Sequence, residues 1–232
     1  MNLSQRGLRN WKNLGMVIRR EFKFANERPN ARLLALHNMV VEAKTKLRRM
    51  LRAAGNRITA AERHRDSALA CARLLAQPIW AGARSVLTYS HLEQEIDLTP
   101  LTKQALDGGK TVAFLAFDEA AERYRARGVG SPERDLRPGR FGILEPAKDC
   151  PEIPLNQLDL ILVPGVAFDL NGHRLGRGRG YYDRLLAQAD GIKCGVAFDE
   201  QIQPELPAEP HDIVMDYLLT PTRWLVFDRN SA

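Results

Sequence analysis

The strongest constraint on the fold of this chain is a nearly continuous apolar run at residues 158–163, Leu-Asp-Leu-Ile-Leu-Val. A strand with one face in water alternates polar and apolar residues, whereas a strand covered on both faces is apolar almost throughout. The run therefore predicts a central strand of a sheet that has helices on both sides. Pro164 and Gly165 follow the run and predict that the strand ends there.

Shorter strand and helix patterns alternate along the rest of the chain. Strands are predicted at 85–90, 111–116, 192–198, 217–219 and 224–227, and helices at 39–55, 60–76, 100–106 and 181–189. Thr59 and Glu62 have the spacing of a capping box, which supports the second of these helices. The alternation predicts the α/β class, with a single domain at 39–232 whose mostly parallel sheet lies between two helical layers. Residues 118–157 are rich in Pro, Gly and charge, and we expect them to be mostly irregular.

The net charge of +6 belongs entirely to residues 1–38, which contain eight Lys or Arg and two Glu. Residues 39–232 have equal numbers of basic and acidic side chains, so the domain itself is not expected to need nucleic acid. Residues 1–38 show no sustained helical or strand period, and we expect a disordered basic extension. Three interpretations remain open: a mobile tail, an Arg-rich targeting arm, or translation from a start codon upstream of the true one, with Met16 or Met39 as candidates.

Several functional classes are disfavoured by composition. No stretch approaches the roughly 18–20 apolar residues of a membrane-spanning helix, and the N-terminal residues lack the apolar core of a signal peptide. Cys71, Cys150 and Cys194 are far apart and form no C-x-x-C pair, which indicates buried, reduced thiols. We therefore expect a cytoplasmic protein that does not bind a membrane. We also expect a monomer.

The segment after the buried strand has the composition of an anion-binding loop. Glycines and arginines alternate in it: Arg174, Gly176, Arg177, Gly178, Arg179 and Gly180. Glycine lets the backbone turn its N–H groups toward one point, and the helix predicted from Tyr181 adds unpaired N–H groups and a favourable dipole. With the arginines, this arrangement predicts a cradle for a polyphosphate.

Asp183 falls in the first turn of the helix that follows the loop. A carboxylate there can hold Mg²⁺ against phosphate oxygens. A carboxylate in a first helical turn is also favoured by the helix dipole alone. The residues by themselves leave both interpretations open.

The stretch 172–183, Gly-His-Arg-Leu-Gly-Arg-Gly-Arg-Gly-Tyr-Tyr-Asp, resembles the signature of the 5-formyltetrahydrofolate cyclo-ligase family, also called methenyltetrahydrofolate synthetases. In that family a stretch of the form RLG-x-G-x-G-YYD follows a strand that ends in a Pro-Gly and Phe-Asp turn. Pro164-Gly165 and Phe168-Asp169 are similar to that turn. The resemblance covers roughly Lys44 to Thr222, and it implies the fold that sugar-phosphate isomerases and CoA transferases share.

The resemblance also implies roles for individual residues. It implies ATP binding by Lys44, Arg48, Arg174, Leu175, Gly176, Arg177, Gly178, Arg179, Gly180, Tyr181 and Tyr182. It implies folate binding by Tyr89, Glu95, Arg177 and Tyr181, a catalytic role for Arg177 and Arg179, and Mg²⁺ binding by Asp183 and Asp212. Lys44 and Arg48 are four residues apart, so a helix would place them on one face. Residues 142–146 resemble a structural turn of the family, and His211 is expected to orient its neighbours.

The implied reaction converts 5-formyltetrahydrofolate and ATP to 5,10-methenyltetrahydrofolate, ADP and phosphate, with Mg²⁺ as cofactor. Two alternatives belong to other classes. One is an enzyme of the same broad fold that uses the cradle for another phosphate compound. The other is a non-catalytic domain whose basic N-terminal extension contacts nucleic acid. Lys44, Arg48 and Asp183 are all present, which favours the cyclo-ligase.

Overall fold

The apolar run forms the middle strand of the sheet, as its composition predicts. In a computed structural model, which describes residues 31–55, 58–209 and 212–227, the strand spans Leu160–Pro164 and all of its residues are buried. Residues 1–30, most of the expected disordered extension, and His211 lie outside the described residues.

The helices and strands alternate in the described residues. The helices are α1 (Ala31–Gly55), α2 (Ala60–Leu75), α3 (Pro78–Gly82), α4 (Thr99–Asp107), α5 (Pro132–Asp135) and α6 (Tyr181–Leu186). The strands are β1 (Ser85–Leu87), β2 (Thr111–Asp118), β3 (Arg123–Gly128), β4 (Leu136–Pro138), β5 (Leu144–Pro146), β6 (Leu160–Pro164), β7 (Ala167–Asp169), β8 (Arg174–Leu175), β9 (Ile192–Val196), β10 (Ile202–Gln203), β11 (Tyr217–Leu219) and β12 (Trp224–Val226).

A seven-stranded sheet in the order β12-β11-β9-β6-β1-β2-β3 forms the middle of the domain. Its five inner strands are parallel, and the edge strands β12 and β3 are antiparallel to their neighbours. Parallel strands need a crossover between them, which explains the intervening helices. A small sheet of β10, β7 and β8 and a hairpin of β4 and β5 lie outside the main sheet.

Two apolar clusters cover opposite faces of the sheet. Alternate residues of β6 belong to different clusters: Leu160 and Leu162 to one, Ile161 and Val163 to the other. Helices α2 and α4 pack in the first cluster and α6 in the second. Because side chains of a strand alternate between its faces, this division confirms the predicted three-layer α/β/α fold.

The predicted bounds are right for several elements and wrong for others. Thr59 and Glu62 form the expected capping box of α2. Helix α1 begins at Ala31, eight residues before the predicted start at Met39, so residues 31–38 of the expected disordered extension are helical. Helix α6 ends at Leu186 and not at Ala189.

Residues 118–157 are more regular than their composition indicates. They contain β3, which pairs with β2 over six residue pairs from Ala113↔Gly128 to Asp118↔Arg123. They also contain the β4–β5 hairpin. Strand β3 alternates Arg with Tyr, Ala and Gly, a period-two pattern that could have identified it.

Candidate active site

The carboxyl ends of the parallel strands open into a cavity of about 600 Å³. Its wall includes Tyr89 and Ser90, which follow β1, and Pro164 and Gly165 at the end of β6. Ligands of open α/β sheets bind at this edge, and the cavity has the size of a small-molecule site. We call it the larger cavity.

A second cavity of about 260 Å³ lies between α1, the glycine loop and the segment before β11. Lys44 and Arg48 line it together, as their spacing on one helix predicts. The glycine loop, Asp183, Glu209 and Asp212 complete its wall. We call it the smaller cavity.

The glycines of the loop are required for two different physical reasons. Gly178 and Gly180 have φ angles of +99° and +64°, which disfavour other residues. At Gly176 the constraint is contact, because a Cβ atom there would lie 2.9 Å from Arg174 Nη1. The loop can therefore pass closely over the arginine at its base.

Lys44 and Arg48, the helix cations assigned to phosphate binding, have anionic or carbonyl partners. Lys44 Nζ donates to Glu209 Oε2 at 3.1 Å and to Asp212 Oδ2 at 2.7 Å. Arg48 Nε donates to the carbonyl oxygen of Gly176 at 2.7 Å. Arg48 thus joins the helix to the glycine loop, and Lys44 joins it to the segment before β11.

Arg174 is buried and differs from the other arginines of the loop. Its guanidinium donates to Asp183 Oδ1 at 2.8 Å and to the carbonyl oxygen of Pro164. Its side chain is only 4% exposed, so its evident role is to anchor the loop against β6. Asp183 is therefore held by a cation in addition to its place in the first turn of α6.

Asp183 and Asp212, the predicted metal ligands, both line the smaller cavity. No group of three or more His, Cys, Asp or Glu side chains suited to a metal is found in the described part of the chain. Magnesium bound to a nucleotide prefers one or two carboxylates, with phosphate and water completing its shell. Two carboxylates beside the predicted phosphate cradle fit that requirement.

The predicted folate residues lie around the larger cavity. Glu95 accepts from Arg177 Nη2 and from the backbone N–H of Leu92, at 2.8 and 2.9 Å. The Tyr89 hydroxyl donates to the carbonyl oxygen of Ile96 at 3.1 Å. Burial, with Glu95 nearby, holds the pKa of Tyr89 well above its ordinary value, so this phenol stays neutral.

Aromatic rings form one wall of the larger cavity. Tyr181 meets Tyr124 edge to face at 5.1 Å between ring centroids, and both meet Phe117 in the same way. Such a wall suits a flat heterocycle. Tyr182 also lines this cavity, and burial raises the pKa of its hydroxyl.

The two cavities meet at the glycine loop. Six residues line both of them: Arg174, Gly176, Arg177, Arg179, Tyr181 and Tyr182. Arg177 and Arg179, the predicted catalytic residues, are among the six. A group that moves from a ligand of one cavity to a ligand of the other would pass these side chains.

Two residues at the site were not among the predicted site residues. Glu209 is buried, accepts from Lys44 and lies 2.6 Å from His37 Nδ1. Glu145 is buried at the wall of the larger cavity, although residues 142–146 resemble a structural turn of the family. Their local sequence does not mark them, because the partners Lys44 and Phe117 lie far from them along the chain.

A family model described as the 5-formyltetrahydrofolate cyclo-ligase family matches residues 40–221. The chain belongs to this family. The cyclo-ligase of Mycolicibacterium smegmatis is 36% identical over 154 residues, which cover 62% of this chain and 76% of that protein. The cyclo-ligase of Escherichia coli K12 is 30% identical over 178 residues, 75% of this chain and 98% of that protein.

A solved structure agrees with both the fold and the family. The NMR structure of Aquifex aeolicus 5,10-methenyltetrahydrofolate synthetase matches with a TM-score of 0.73 and 34% identity, covering 82% of this chain and 95% of that one. The cyclo-ligase family consists of ligases of folate one-carbon metabolism, so the predicted enzyme class is confirmed. Its reaction is the ATP-dependent conversion of 5-formyltetrahydrofolate to 5,10-methenyltetrahydrofolate.

Proposed function

We propose that this chain performs the cyclo-ligase reaction by transferring the γ-phosphoryl group of ATP to the formyl oxygen of 5-formyltetrahydrofolate. ATP occupies the smaller cavity and the folate occupies the larger one. The observation that supports this most directly is the set of residues common to both walls, with Arg177 and Arg179 at the junction.

The chemical need is to activate a poor electrophile. The formyl group on N5 is a formamide, and its carbonyl carbon resists attack by N10. Phosphorylation of the formyl oxygen gives an iminium phosphate, which N10 attacks to close the ring. ADP is released in the phosphoryl-transfer step, and loss of inorganic phosphate and of the N10 proton after ring closure gives the methenyl product.

Phosphoryl transfer depends on positioning and charge neutralisation more than on a protein nucleophile. Lys44 and Arg48 would bind phosphate oxygens from α1, and Arg177 and Arg179 would neutralise the group in transit. Lys44 must then exchange its bonds to Glu209 and Asp212 for phosphate oxygens. The mechanism assigns no role to the buried thiols; burial raises the pKa of Cys71 to about 11.

Asp183 and Asp212 are the residues that would hold Mg²⁺. The ion, when bound with ATP, would neutralise phosphate charge and fix the orientation of the phosphate chain. Asp183 would contribute its negative charge to the ion and keep its hydrogen bond to Arg174. Asp212 would give up its bond to Lys44, which frees that lysine for the phosphates.

The reaction is tested by mixing the protein with Mg²⁺, ATP and 5-formyltetrahydrofolate and following the absorbance of methenyltetrahydrofolate. Product should form in a one-to-one ratio with ADP, and it should require both ATP and the divalent ion. ATP consumption without folate, or binding of both ligands without product, would contradict the proposal. The latter outcome would indicate a non-catalytic relative.

Two further expectations accompany this proposal. No helix in the described parts of the chain combines the length and apolar character needed to cross a bilayer. We propose a cytoplasmic monomer that requires no nucleic acid; the last point is supported by the equal numbers of basic and acidic side chains in residues 39–232. Gel filtration with light scattering tests the monomer.

A further inference from the structure

Glu145 differs from the other buried carboxyl groups near the site in its hydrogen bonding. Its Oε2 accepts from the backbone N–H of Phe117 at 2.9 Å. Its Oε1 is buried and has no hydrogen-bond partner among the residues that the structure describes. Glu95, by contrast, uses both oxygens, and the fully buried Asp169 accepts from three backbone N–H groups and His173.

The position of Glu145 follows from the ends of two strands. Strand β1 ends at Leu87, opposite Ala113, while β2 continues to Asp118. The far part of β2 therefore extends beyond β1, and the Glu145 side chain takes the place of a strand neighbour at Phe117. This brings Glu145 to the carboxyl edge of the sheet, where it is one of the residues that line the larger cavity.

The β4–β5 hairpin is built closely around this carboxyl group. A Cβ atom at Gly139 would lie 2.6 Å from the Glu145 carboxyl carbon. Gly139 has an ordinary φ of −111°, so contact and not backbone strain requires glycine there. The carboxyl group is thus fixed by a long-range main-chain bond on one side and by a close backbone on the other.

We propose that Oε1 of Glu145 accepts a hydrogen bond from the exocyclic 2-amino group of the substrate's pterin ring and thereby sets the orientation of the folate. This inference rests on the proposed function. A buried carboxyl oxygen without a partner costs free energy that a ligand N–H recovers. The pterin edge provides such donors, whereas the glutamate end of the folate is anionic and would be repelled.

The proposed contact is consistent with the surrounding surface. Tyr124 and Tyr181 line the larger cavity with Glu145 and can receive the flat ring, and Phe117 packs against both tyrosines. The pKa of Tyr124 is raised by burial and by the Glu145 carboxylate, so this phenol stays neutral. With the 2-amino group against β5, N5 and its formyl group lie on the far ring, away from β5.

The test is a double-mutant cycle between the protein and the substrate. Glu145→Gln keeps an acceptor for Phe117 but presents N–H at the position of Oε1. For the natural folate substrate we expect KM to rise about tenfold to a hundredfold, with the KM for ATP changed less than about twofold. When the natural folate is replaced by the analogue that lacks the 2-amino group, the KM of the wild-type protein should rise. The KM of Glu145→Gln should change little on the same replacement, because its contact to that group is already lost.

Two further variants separate recognition from folding. Glu152→Gln removes a carboxylate that pairs with Arg125 on the surface, and it should leave both KM values unchanged. Gly139→Ala keeps Glu145 but must displace its carboxyl group, so it should also raise the folate KM selectively. If Glu145→Gln does not fold, the folate KM of Gly139→Ala tests whether Glu145 contacts the substrate.

The outcomes distinguish this inference from the function on which it rests. One contrary result is that Glu145→Gln raises the KM equally for the natural folate and for the analogue without the 2-amino group. Another is that it lowers the melting point while the folate KM stays unchanged. Either result would show that Glu145 only supports the hairpin. The inference would then be wrong and the proposed function would stand. Wild-type protein that forms no methenyltetrahydrofolate would overturn both.

Discussion

At the scale of single residues, the structure allows two roles for Asp183, and a substitution can distinguish them. It accepts a hydrogen bond from Arg174, and it lines the smaller cavity where Mg²⁺ would bind. Asp183→Asn keeps an acceptor for Arg174 but removes the charge that the ion requires. We expect turnover to fall at least tenfold and the Mg²⁺ requirement to rise. The melting point should fall less than for Lys44→Ala, because Asp183 is one-third exposed and asparagine still accepts from Arg174.

The matched control for this variant is Asp107→Asn, which removes an exposed carboxylate paired with Lys103 on α4. Exposed pairs of this kind contribute roughly 0.2–1 kcal/mol, so the control should keep full activity. Turnover and Mg²⁺ dependence are measured for both proteins. Near-normal values for Asp183→Asn would show that Asp183 only anchors Arg174.

Lys44 provides a second prediction at the residue scale. Lys44→Ala should raise the KM for ATP by about tenfold to a hundredfold and change the KM for the folate substrate much less, because its proposed partner is a phosphate. The change also leaves Glu209 and Asp212 without their shared cation, and removing one partner of a buried pair can cost about 3–5 kcal/mol. The melting point should therefore fall.

His37→Ala is the control for Lys44→Ala. It removes another neighbour of Glu209, but the His37 side chain is 47% exposed and does not line either cavity described above. We expect little change in the KM for ATP. Steady-state kinetics well below each melting point separates the two effects, and an unchanged ATP KM for Lys44→Ala would assign this lysine to a structural ion pair.

At the scale of secondary-structure elements, the glycine loop has a conformation that a side chain should disturb. Gly178 has φ of +99°, and a Cβ atom there would lie 3.3 Å from Arg48 Cζ. Gly178→Ala is therefore expected to cost about 1–2 kcal/mol in backbone strain and to raise the KM for ATP. Gly82→Ala, at the end of α3 with no neighbour within 4 Å, is the control.

The outcome for Gly178→Ala depends on where the strain is relieved. A shift of Arg48 would affect ATP binding and leave the folate KM nearly constant. Kinetics for both substrates and thermal melting of both variants measure this. Equal effects of Gly178→Ala and Gly82→Ala on stability and ATP binding would show that the loop tolerates a side chain.

The elements that the sequence predicts well are those whose pattern is local. The apolar run of β6 and the capping box of α2 depend on neighbouring residues, and both stand as predicted. Strand β3 is not predicted because its three arginines are typical of a loop, and its pairing with β2 identifies it as a strand. The predicted start of α1 is too late because four consecutive apolar residues, 33–36, obscure the helical period in residues 31–38.

The site is predictable where a motif specifies it and not where distant segments meet. The glycine loop is identified from its motif, and Lys44 and Asp212 from the family resemblance; the structure brings all of them to one cavity. Glu145 reaches Phe117 across 28 positions of the chain, and Lys44 reaches Glu209 across 165. Such contacts depend on the packed sheet, so the local sequence does not indicate which turn carboxylate becomes buried.

At the scale of the whole molecule, the net charge divides the chain into a basic extension and a neutral domain. A protein that begins at Met39 loses the whole excess of +6 and the first eight residues of α1. The contact between His37 and Glu209 is lost as well, but it is half-exposed and should contribute no more than about 1 kcal/mol. We expect this shorter protein to fold and to keep its cyclo-ligase activity within about twofold.

The same truncation should abolish weak binding to polyanions. Affinity that comes from Lys and Arg falls steeply with salt, and the domain that remains has no net charge to replace it. Retention of both proteins on immobilised DNA at several salt concentrations measures this, beside melting points and turnover.

A full-length variant with Gln at the basic positions of residues 1–30 is the control, because it removes charge but not length. If the shorter protein loses more than about 2 kcal/mol of stability while the control does not, residues 1–38 pack against the domain through contacts other than charge. The start at Met39 would then be wrong, and the extension would be part of the folded unit.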